Sequence, residues 1–335
     1  MLRQAIDKVI AWLFTKRDFQ GARDFLSQLL LPFWPKYDFE KLPSSDVEQT
    51  PPGMTRAANG LHSWKLRKTD AALDINPGSG EAFLGGRRLV ESSRISTDAE
   101  GAGPVDLLCH LFPIRVRREP ALVLHCGASA DLTSFVGELL PRFFALDKFD
   151  LPKDLLFLVS LRMGRQRFFQ DALTDQIFRP RPIEIMRQFH LVSVNRLYSL
   201  QGPVLDPVQL SHAAERFRSI YGPYEPADRP IFLCSGGTRR AMALAKRYSA
   251  DVPNVFGQDY ALIDPARAAL RDVVRAVASA SSVAAPSTGE ASILALAPSA
   301  NRVLYELGDG RSAHPLADRL LDAIGEPRRK IPAHT

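Results

Sequence analysis

Short apolar segments alternate with amphipathic helical segments from about residue 105 onward, and this alternation constrains the fold more than any other feature. The apolar segments predict strands over 121–127, 155–161, 190–200, 230–236, 281–286 and 302–307. The segments between them predict helices over 131–149, with an interruption at Pro141, and over 164–178, 208–222, 238–249, 266–280, 291–298 and 314–325. Strands that alternate with helices form parallel sheets with crossover helices, so the sequence predicts an α/β fold.

The alternation falls into two sets separated by Gly202, Pro203 and Pro207, which predict a hinge over 201–207. We therefore expect two Rossmann-like domains, residues 106–202 and 203–335, that face each other across a cleft. Ligands bind such sheets at the carboxyl ends of their strands, so a binding site is expected in the cleft.

Residues 1–105 predict a helical and irregular N-terminal extension rather than a third domain. Residues 1–35 are expected to be helical, and residues 36–105 to form loops and short strands. The first helix combines apolar and basic side chains: Ile6, Ile10, Trp12, Leu13 and Phe14 with Arg3, Lys8, Lys16 and Arg17. Such a helix either packs against a domain or makes peripheral contact with the inner face of a membrane. Both alternatives stay open.

The charge and cysteine patterns narrow the class of ligand. The chain has 335 residues and a net charge of +6, with scattered basic residues. This favours small acidic ligands or a weak attraction to anionic lipid, and argues against a nucleic-acid partner. Cys109, Cys126 and Cys234 lie far apart, without the spacing of a zinc site or a disulfide framework. No run of about 18 apolar residues occurs. We expect a cytoplasmic protein with no metal and no cofactor.

A polar turn over 287–290 connects the predicted strand 281–286 to the next predicted helix. The first backbone N–H groups of a helix have no partner inside the helix, and they attract anions. Ser287, Thr288 and Gly289 therefore form a candidate cradle for a phosphate or carboxylate. The alternative is an ordinary connection between a strand and a helix, and spacing alone favours it.

Two arginines, Arg239 and Arg240, follow the glycine pair Gly236 and Gly237 at the end of the predicted strand 230–236. They are candidate phosphate ligands, because a guanidinium forks onto phosphate oxygens. The alternative is a pair of surface arginines in the first turn of a helix, where positive charge is mildly unfavourable. In the other half, Asp131 is expected to cap the helix over 131–149.

Three segments resemble the family 61 glycosyltransferases of the capsular-polysaccharide type. ALRDVVRAVASASSVAAPSTGEASILALAPSANRVLYEL is similar to the family's helix, strand with a Gly-Pro-His-Gly-Ala-Gly turn, helix, and strand ending in Val-Glu-Leu. The matching residues there are Ala280, Pro286, Pro298, Glu306 and Leu307. FVGELLPRFFALDKFDLPKDLLFLVS resembles the family's helix with a Leu-Pro-Arg sequence, with matches at Glu138, Leu140, Pro141 and Arg142. PIFLCSGGTRRA resembles its strand followed by a basic loop. The similarity covers roughly residues 120–310.

The resemblance implies a GT-B-like fold and metal-independent transfer of a sugar from a nucleotide-sugar donor to a glycan acceptor. No Asp-x-Asp sequence is placed to hold a metal against a diphosphate. The expected donor-binding residues are Arg239, Arg240, Ser287, Thr288, Gly289 and Glu306. The candidate catalytic carboxylates are Glu138 and Glu290, and Arg142 is expected to contact the acceptor or bridge the domains. The alternatives are an exposed helix carboxylate at Glu138, a backbone-bonded Glu306 and a surface salt bridge at Arg142.

The chain departs from the family at its turn, where Ser287 replaces a histidine and Thr288, Gly289 and Glu290 replace Gly-Ala-Gly. Ser134 stands where the family has a second histidine. These departures leave open a non-catalytic binding protein on a decayed glycosyltransferase scaffold. A rhodanese-like sulfurtransferase is a further alternative, because CSGGTR fits a Cys-x-x-Gly-x-Arg loop with Cys234 as the nucleophile. The upstream segment expected of that class is missing.

Overall fold

A computed structural model of the chain describes residues 47–49, 64–70, 73–75, 82–84, 87–88, 115–117, 119–125, 130–186, 192–201, 205–224, 229–299, 301–308 and 315–332. The helix expected over 1–35 lies outside these residues, as does its expected contact with a membrane. Within the described ranges, no helix has both the length and the apolar character needed to cross a membrane.

The described elements are short strands and helices. The strands are β1 (Val47–Gln49), β2 (Lys65–Thr69), β3 (Leu73–Ile75), β4 (Ala82–Leu84), β5 (Arg87–Arg88), β6 (Arg115–Arg117), β7 (Ala121–His125), β8 (Leu156–Val159), β9 (Ile183–Ile185), β10 (Val192–Val194), β11 (Leu197–Gln201), β12 (Ile231–Leu233), β13 (Ala261–Ile263), β14 (Ser282–Ala285), β15 (Val303–Leu307) and β16 (Arg328–Ile331). The α-helices are α1 (Leu132–Ser134), α2 (Leu140–Ala145), α3 (Leu161–Gly164), α4 (Arg167–Thr174), α5 (Pro207–Tyr221), α6 (Thr238–Tyr248), α7 (Pro253–Phe256), α8 (Leu270–Ser279), α9 (Thr288–Ala291) and α10 (Pro315–Ala323).

The C-terminal half contains a five-stranded sheet in the order β13-β12-β14-β15-β16. Every pair of neighbours in it is parallel. Counted along the chain from β12, this order is 2-1-3-4-5, the order of a doubly wound sheet. The connections from β12 and from β14 leave in opposite directions along the sheet, and this divergence opens a crevice at their carboxyl ends. The α/β fold with parallel sheets is thus confirmed.

The N-terminal half contains a six-stranded sheet in the order β1-β2-β11-β7-β8-β9. Its core strands β11, β7, β8 and β9 are parallel. The strand β2 pairs antiparallel with β11, so residues from the expected N-terminal extension complete this sheet. A second five-stranded sheet has the order β5-β4-β3-β10-β6. The single strand predicted over 190–200 is wrong, because β10 and β11 belong to different sheets.

The helical run that follows β7 passes through Pro141 without a break. A π-helical turn, Phe135–Leu139, precedes α2, and the N–H of Leu140 donates to the carbonyl of Phe135. The wider turn accommodates the proline, which has no N–H to donate and whose ring collides with the i−4 carbonyl in a regular α-helix. The regular α-helix is thus interrupted just before Pro141 by the π-helical turn, while the helical run itself continues. A 3₁₀ turn, Leu146–Lys148, ends the run.

One buried apolar cluster extends through both halves of the described chain. The 3₁₀ helix Ser292–Leu296 lies at its centre and packs against the π-helical turn, α5, α8 and α10. Ile293 and Leu294 are at most 1% exposed. Burial of such a side chain contributes about 1.5–3 kcal/mol relative to leaving it in water. The buried segment that follows the 287–290 turn therefore anchors that turn to the apolar core.

A buried ion pair fixes the far side of the C-terminal sheet. The guanidinium of Arg302 donates to both carboxylate oxygens of Glu326, at 2.6 and 2.8 Å, and to the carbonyl of Val277. Both charged side chains are at most 1% exposed. Because the two charges neutralise each other through two hydrogen bonds, this pair links the end of α8, the start of β15 and the start of β16 without an unpaired buried charge.

Candidate functional site

A cavity of about 900 Å³ lies at the carboxyl ends of strands from two sheets. One wall comes from the C-terminal sheet. Ser235, Gly236 and Arg240 follow β12 on this wall, Pro265 and Ala266 follow β13, and Ser287, Gly289 and Glu290 follow β14. Since β12 and β14 are the neighbours whose connections diverge, the cavity lies at the point where doubly wound sheets bind ligands.

The opposite wall comes from the N-terminal sheet. Asp131 and Thr133 follow β7, and Arg162, Arg165 and Gln166 follow β8. Asp131 is the N-cap of α1, because its carboxylate accepts a hydrogen bond from the N–H of Ser134 at 2.8 Å. The predicted cap is confirmed. Arg162 and Arg165 are exposed to solvent and are one helical turn apart, so the wall carries positive charge.

The turn after β12 depends on two glycines. Gly236 has φ +95° and Gly237 has φ +92°, and Gly237 is the N-cap of α6. Side chains rarely allow this backbone conformation. A methyl group at Gly236 would also lie 3.3 Å from the Cδ of Arg240. The glycine pair thus lets the chain turn sharply from β12 into α6 beside the cavity.

Glu290 joins the loops after β12 and β14. Its carboxylate accepts a hydrogen bond from the N–H of Ser235 at 2.7 Å and from the hydroxyl of Ser287 at 3.3 Å. The same hydroxyl accepts from the N–H of Glu290, at 3.4 Å, as the N-cap of α9. The carboxylate is 10% exposed. Burial raises the pKa of Glu290, an effect only partly offset by the hydrogen bond from Ser235 and the charge of Arg240.

Arg240 contacts the same two groups. Its guanidinium donates to the carbonyl of Ser235 at 2.6 Å and lies 3.6 Å from the carboxylate of Glu290. Its side chain is 21% exposed, so solvent screens the pair incompletely. One amide N–H and one guanidinium group therefore converge on a carboxylate at the cavity wall.

The two walls touch directly. The hydroxyl of Thr133 lies 3.4 Å from the carbonyl oxygen of Gly289 and donates to it. Thr133 is 1% exposed, so this contact is shielded from water. The loops that follow β7 and β14 therefore meet at one end of the cavity.

The structure brings some of the candidate residues into the cavity and places others elsewhere. Arg240, Ser287, Gly289 and Glu290 line it. Arg239 is exposed and is not part of the lining. Thr288 is 1% exposed, and its hydroxyl has no hydrogen-bond partner among the residues that the structure describes.

Three further candidates lie away from the lining. Glu138 is 9% exposed in the π-helical turn, so it is not the exposed carboxylate of the alternative. Arg142 is 4% exposed and donates to the carbonyl of Leu124 at 3.3 Å, which excludes a surface salt bridge. Glu306 lies 3.9 Å from Arg328, and burial is the main cause that raises its pKa.

Cys234 is buried beneath the loop that it begins. It is 1% exposed and packs in an apolar cluster with Phe232, Ala241 and Leu244. A persulfide carrier has to be reached by a soluble sulfur donor and an acceptor. This burial disfavours the sulfurtransferase alternative.

Sequence reasoning missed Arg162, Arg165 and Gln166. They directly follow the predicted strand 155–161, just as Arg239 and Arg240 follow the strand 230–236. The same criterion, cations after the end of a parallel strand, would have identified the two arginines, whereas nothing in the sequence singles out Gln166. In the part of the chain described here, no three His, Cys, Asp or Glu side chains form a group that could hold a metal ion.

Comparison with protein-family models gives no match to this chain, and comparison with curated proteins gives none either.

Proposed function

We propose that the chain is a metal-independent glycosyltransferase with a GT-B-like arrangement, which binds the diphosphate of a nucleotide-sugar donor in the cavity. The observation that carries this proposal is the position of the cavity at the carboxyl ends of β12 and β14. Nucleotides bind doubly wound sheets at this point, where the connections of neighbouring strands diverge. Its volume of about 900 Å³ also suits a ligand of nucleotide-sugar size.

The polar groups at the cavity suit a diphosphate. The N-terminus of α6, an 11-residue helix, begins beside Gly236 and supplies a positive dipole end. Arg240 adds a guanidinium on the same wall, and Arg162 and Arg165 add two on the opposite wall. Fixed donors and cations of this kind stabilise the negative charge that grows on a departing diphosphate.

The reaction would proceed by direct displacement at the anomeric carbon. An acceptor hydroxyl oxygen forms the new bond to that carbon, the bond from the carbon to the diphosphate oxygen breaks, and a base accepts the hydroxyl proton. Among the described residues, Asp131 and Glu290 are the carboxylates that line the cavity. Glu138, the other carboxylate expected from the sequence, is buried in the π-helical turn and does not line the cavity.

The resemblance to family 61 glycosyltransferases supplies the reaction class. Two of the three loops of the C-terminal wall fall in segments that carry this resemblance, PIFLCSGGTRRA and the run that contains the 287–290 turn. The resemblance implies a nucleotide-sugar donor and a surface glycan or capsule-like polymer as the acceptor. Because the family's turn histidine is Ser287 here, and this hydroxyl caps α9, the altered turn has a structural role of its own.

A non-catalytic binding protein with the same cavity is the second candidate. The carboxylate of Glu290 is already engaged by Ser235, Ser287 and Arg240, which favours a structural role for this residue over proton transfer. Both candidate functions require that the cavity binds a nucleotide. They differ in whether the protein then releases a diphosphate from a nucleotide-sugar.

The first experiment measures the melting temperature and the binding heat of the protein with the common nucleoside diphosphates. At least one of them is expected to bind and to raise the melting temperature, since a ligand that binds only the folded state stabilises it. Incubation with the matching nucleotide-sugars and a glycan acceptor should then release that diphosphate. If none of the nucleotides binds, the proposal fails. Binding without release of diphosphate would leave the non-catalytic candidate.

A further inference from the structure

The carboxylate of Glu290 occupies a position that suits an anionic ligand. The N–H of Ser235, at the carboxyl end of β12, donates to one of its oxygens at 2.7 Å. The guanidinium of Arg240 lies 3.6 Å from the same oxygen. A loop amide and an arginine near a strand end are donors that proteins use to hold phosphate oxygens. In the structure, these donors hold the carboxylate of Glu290 where the oxygens of such a ligand would bind.

The surroundings of Glu290 oppose its charge. The carboxylate is 10% exposed, and its burial outweighs the favourable contacts with Ser235 and Arg240, so its pKa is raised. A second anion at the same donors would add repulsion between like charges to this desolvation. Protonation of the Glu290 carboxylate removes that repulsion and weakens the hydrogen bond that the carboxylate accepts from the N–H of Ser235.

Other charged groups face this carboxylate from the neighbouring elements. Arg240 faces it from α6, Asp131 lies at the start of α1, and Arg162 and Arg165 line the opposite wall at α3. The helix α10 also packs against α9, but its Asp318 and Asp322 pair with Arg328 on the side of β16. The fixed positive charges favour an anion in the cavity, and Glu290 and Asp131 oppose it.

We propose that Glu290 competes inside the protein with the anionic ligand of this cavity, and that it takes up one proton and releases Ser235 and Arg240 when the ligand binds. The identification of this ligand as a diphosphate rests on the proposed function, whereas the competition between Glu290 and an anion does not. The proton comes from solvent and adds to the carboxylate, which becomes a neutral carboxylic acid. Its O–H then donates a hydrogen bond to an oxygen of the bound anion. No covalent bond to the ligand forms.

The proposal predicts a specific pH dependence. Ligand binding raises the pKa of Glu290 further, so the anion is bound more tightly as the pH falls. Linkage sets the limit at about a tenfold change in affinity per pH unit, within the window between the pKa values of the empty and the occupied site. This pH window lies above 4.5, the ordinary pKa of a glutamate side chain, because burial already raises the pKa of Glu290 in the empty site.

Inorganic sulfate and inorganic pyrophosphate are suitable probes, and sulfate has no proton to lose near neutral pH. Their dissociation constants are measured by calorimetry between about pH 5 and pH 8, in two buffers that differ in their heats of ionisation. For the wild type, the dissociation constant for sulfate is expected to rise about tenfold or more across this range. The buffer dependence should show uptake of about one proton per sulfate in the part of the range where the constant changes.

Glu290→Gln keeps the shape of the side chain and removes its charge. This variant is expected to bind sulfate about tenfold more tightly than the wild type at the upper end of the range, with no proton uptake. Glu215→Gln removes a carboxylate from the exposed face of α5 and should follow the wild type. Equal or weaker binding by Glu290→Gln at every pH, together with no proton uptake by the wild type, would overturn the proposal. If the variant does not fold, the proton uptake of the wild type decides alone.

The outcome separates this inference from the proposed function. Proton-coupled sulfate binding without any binding of nucleoside diphosphates would support the role of Glu290 and reject the glycosyltransferase. Nucleoside diphosphate binding that is equally tight in the wild type and in Glu290→Gln, without proton uptake, would reject the role of Glu290 alone.

Discussion

The hydroxyl of Thr133 donates to the carbonyl oxygen of Gly289 at 3.4 Å, and this hydrogen bond joins the two walls of the cavity. The same carbonyl also accepts from the hydroxyl of Ser292 at 2.8 Å. Gly289 therefore keeps one donor when the other is removed. The shorter bond comes from the 3₁₀ helix beneath the turn, and the longer one comes from the opposite half of the molecule.

Thr133→Val should cost little stability. The long neutral hydrogen bond that it removes contributes no more than about 1 kcal/mol, and Gly289 retains the Ser292 hydroxyl. Ser292→Ala is the matched comparison and should lower the free energy of unfolding more, because it removes the shorter bond. Urea unfolding measures both variants. A larger loss for Thr133→Val than for Ser292→Ala would show that the contact between the walls carries more of the fold than these distances indicate.

Arg240 and Arg239 should differ in nucleotide binding, although the sequence predicts the same role for both. Arg240 lines the cavity beside Ser235, whereas Arg239 is exposed outside the lining. Arg240→Ala removes a charge-assisted bond worth about 1.5–3 kcal/mol, so nucleoside diphosphate affinity should fall roughly 10- to 100-fold. Arg239→Ala should change it by less than about twofold, since exposed charges are screened. Calorimetry at one ionic strength measures both. An equal loss of nucleoside diphosphate affinity in the two variants would show that the phosphate does not bind at the Ser235 loop.

Arg162 and Arg165 should act on the same ligand from the opposite wall. Both are exposed, so each contributes less than a buried guanidinium would. The double variant Arg162→Ala, Arg165→Ala should weaken nucleoside diphosphate binding several-fold and reduce its dependence on salt. The double variant Lys246→Ala, Arg247→Ala removes two exposed cations near the end of α6, so it controls for net charge and should leave the affinity unchanged. An identical salt dependence in the Arg162→Ala, Arg165→Ala variant and the wild type would exclude the α3 wall from the diphosphate site.

The sequence predicts the parallel sheets well and their edges poorly. The alternating pattern identifies β7, β8, β12, β14 and β15, because central parallel strands are buried on both faces and read as apolar runs. The edge strands β13 and β16 were missed, since they are half exposed and β16 is largely basic. The pattern over 190–200 gives no sign that β10 and β11 pair with different sheets, because pairing partners lie far away in the sequence.

The candidate site shows a similar limit. The predicted ends of the strands correctly identify Arg240 and the 287–290 turn as part of the cavity. They do not separate Arg240 from Arg239, because consecutive helical residues point about 100° apart and only the packing of α6 decides which one faces the cavity. Nor does the sequence show that Glu290 reaches across to the amide of Ser235, 55 positions earlier.

Cys234 should be inert in the folded protein. It is 1% exposed within an apolar cluster, so alkylating reagents reach it only when the loop or the whole domain opens. Mass spectrometry of the peptide that contains Cys234 should show slow labelling of the native protein and complete labelling in denaturant. Transfer of sulfur from thiosulfate to cyanide should be undetectable. Rapid native labelling together with sulfur transfer that Cys234→Ala abolishes would restore the sulfurtransferase alternative.

The pH dependence of stability should carry a contribution from Glu290 with an unusual sign for a carboxylate. Burial raises its pKa in the folded protein above the ordinary value of 4.5, so the folded state binds this proton more tightly than the unfolded chain does. The resulting stability is fully present below the unfolded pKa, and it is lost as the pH rises through the folded pKa. Each unit by which the pKa is raised corresponds to about 1.4 kcal/mol.

Glu290→Gln isolates this contribution, because the amide has the same shape and does not titrate. The free energy of unfolding of the wild type, minus that of the variant, should therefore decrease from about pH 4.5 upward and level off above the folded pKa. Urea unfolding at a series of pH values measures the difference, and subtraction removes the titration of every other group that the substitution leaves unchanged. A difference that increases with pH would mean that Ser235 and Arg240 stabilise the charged carboxylate more than burial disfavours it. In that case Glu290 would remain charged at its donors, and the proton-coupled competition would lose its physical basis.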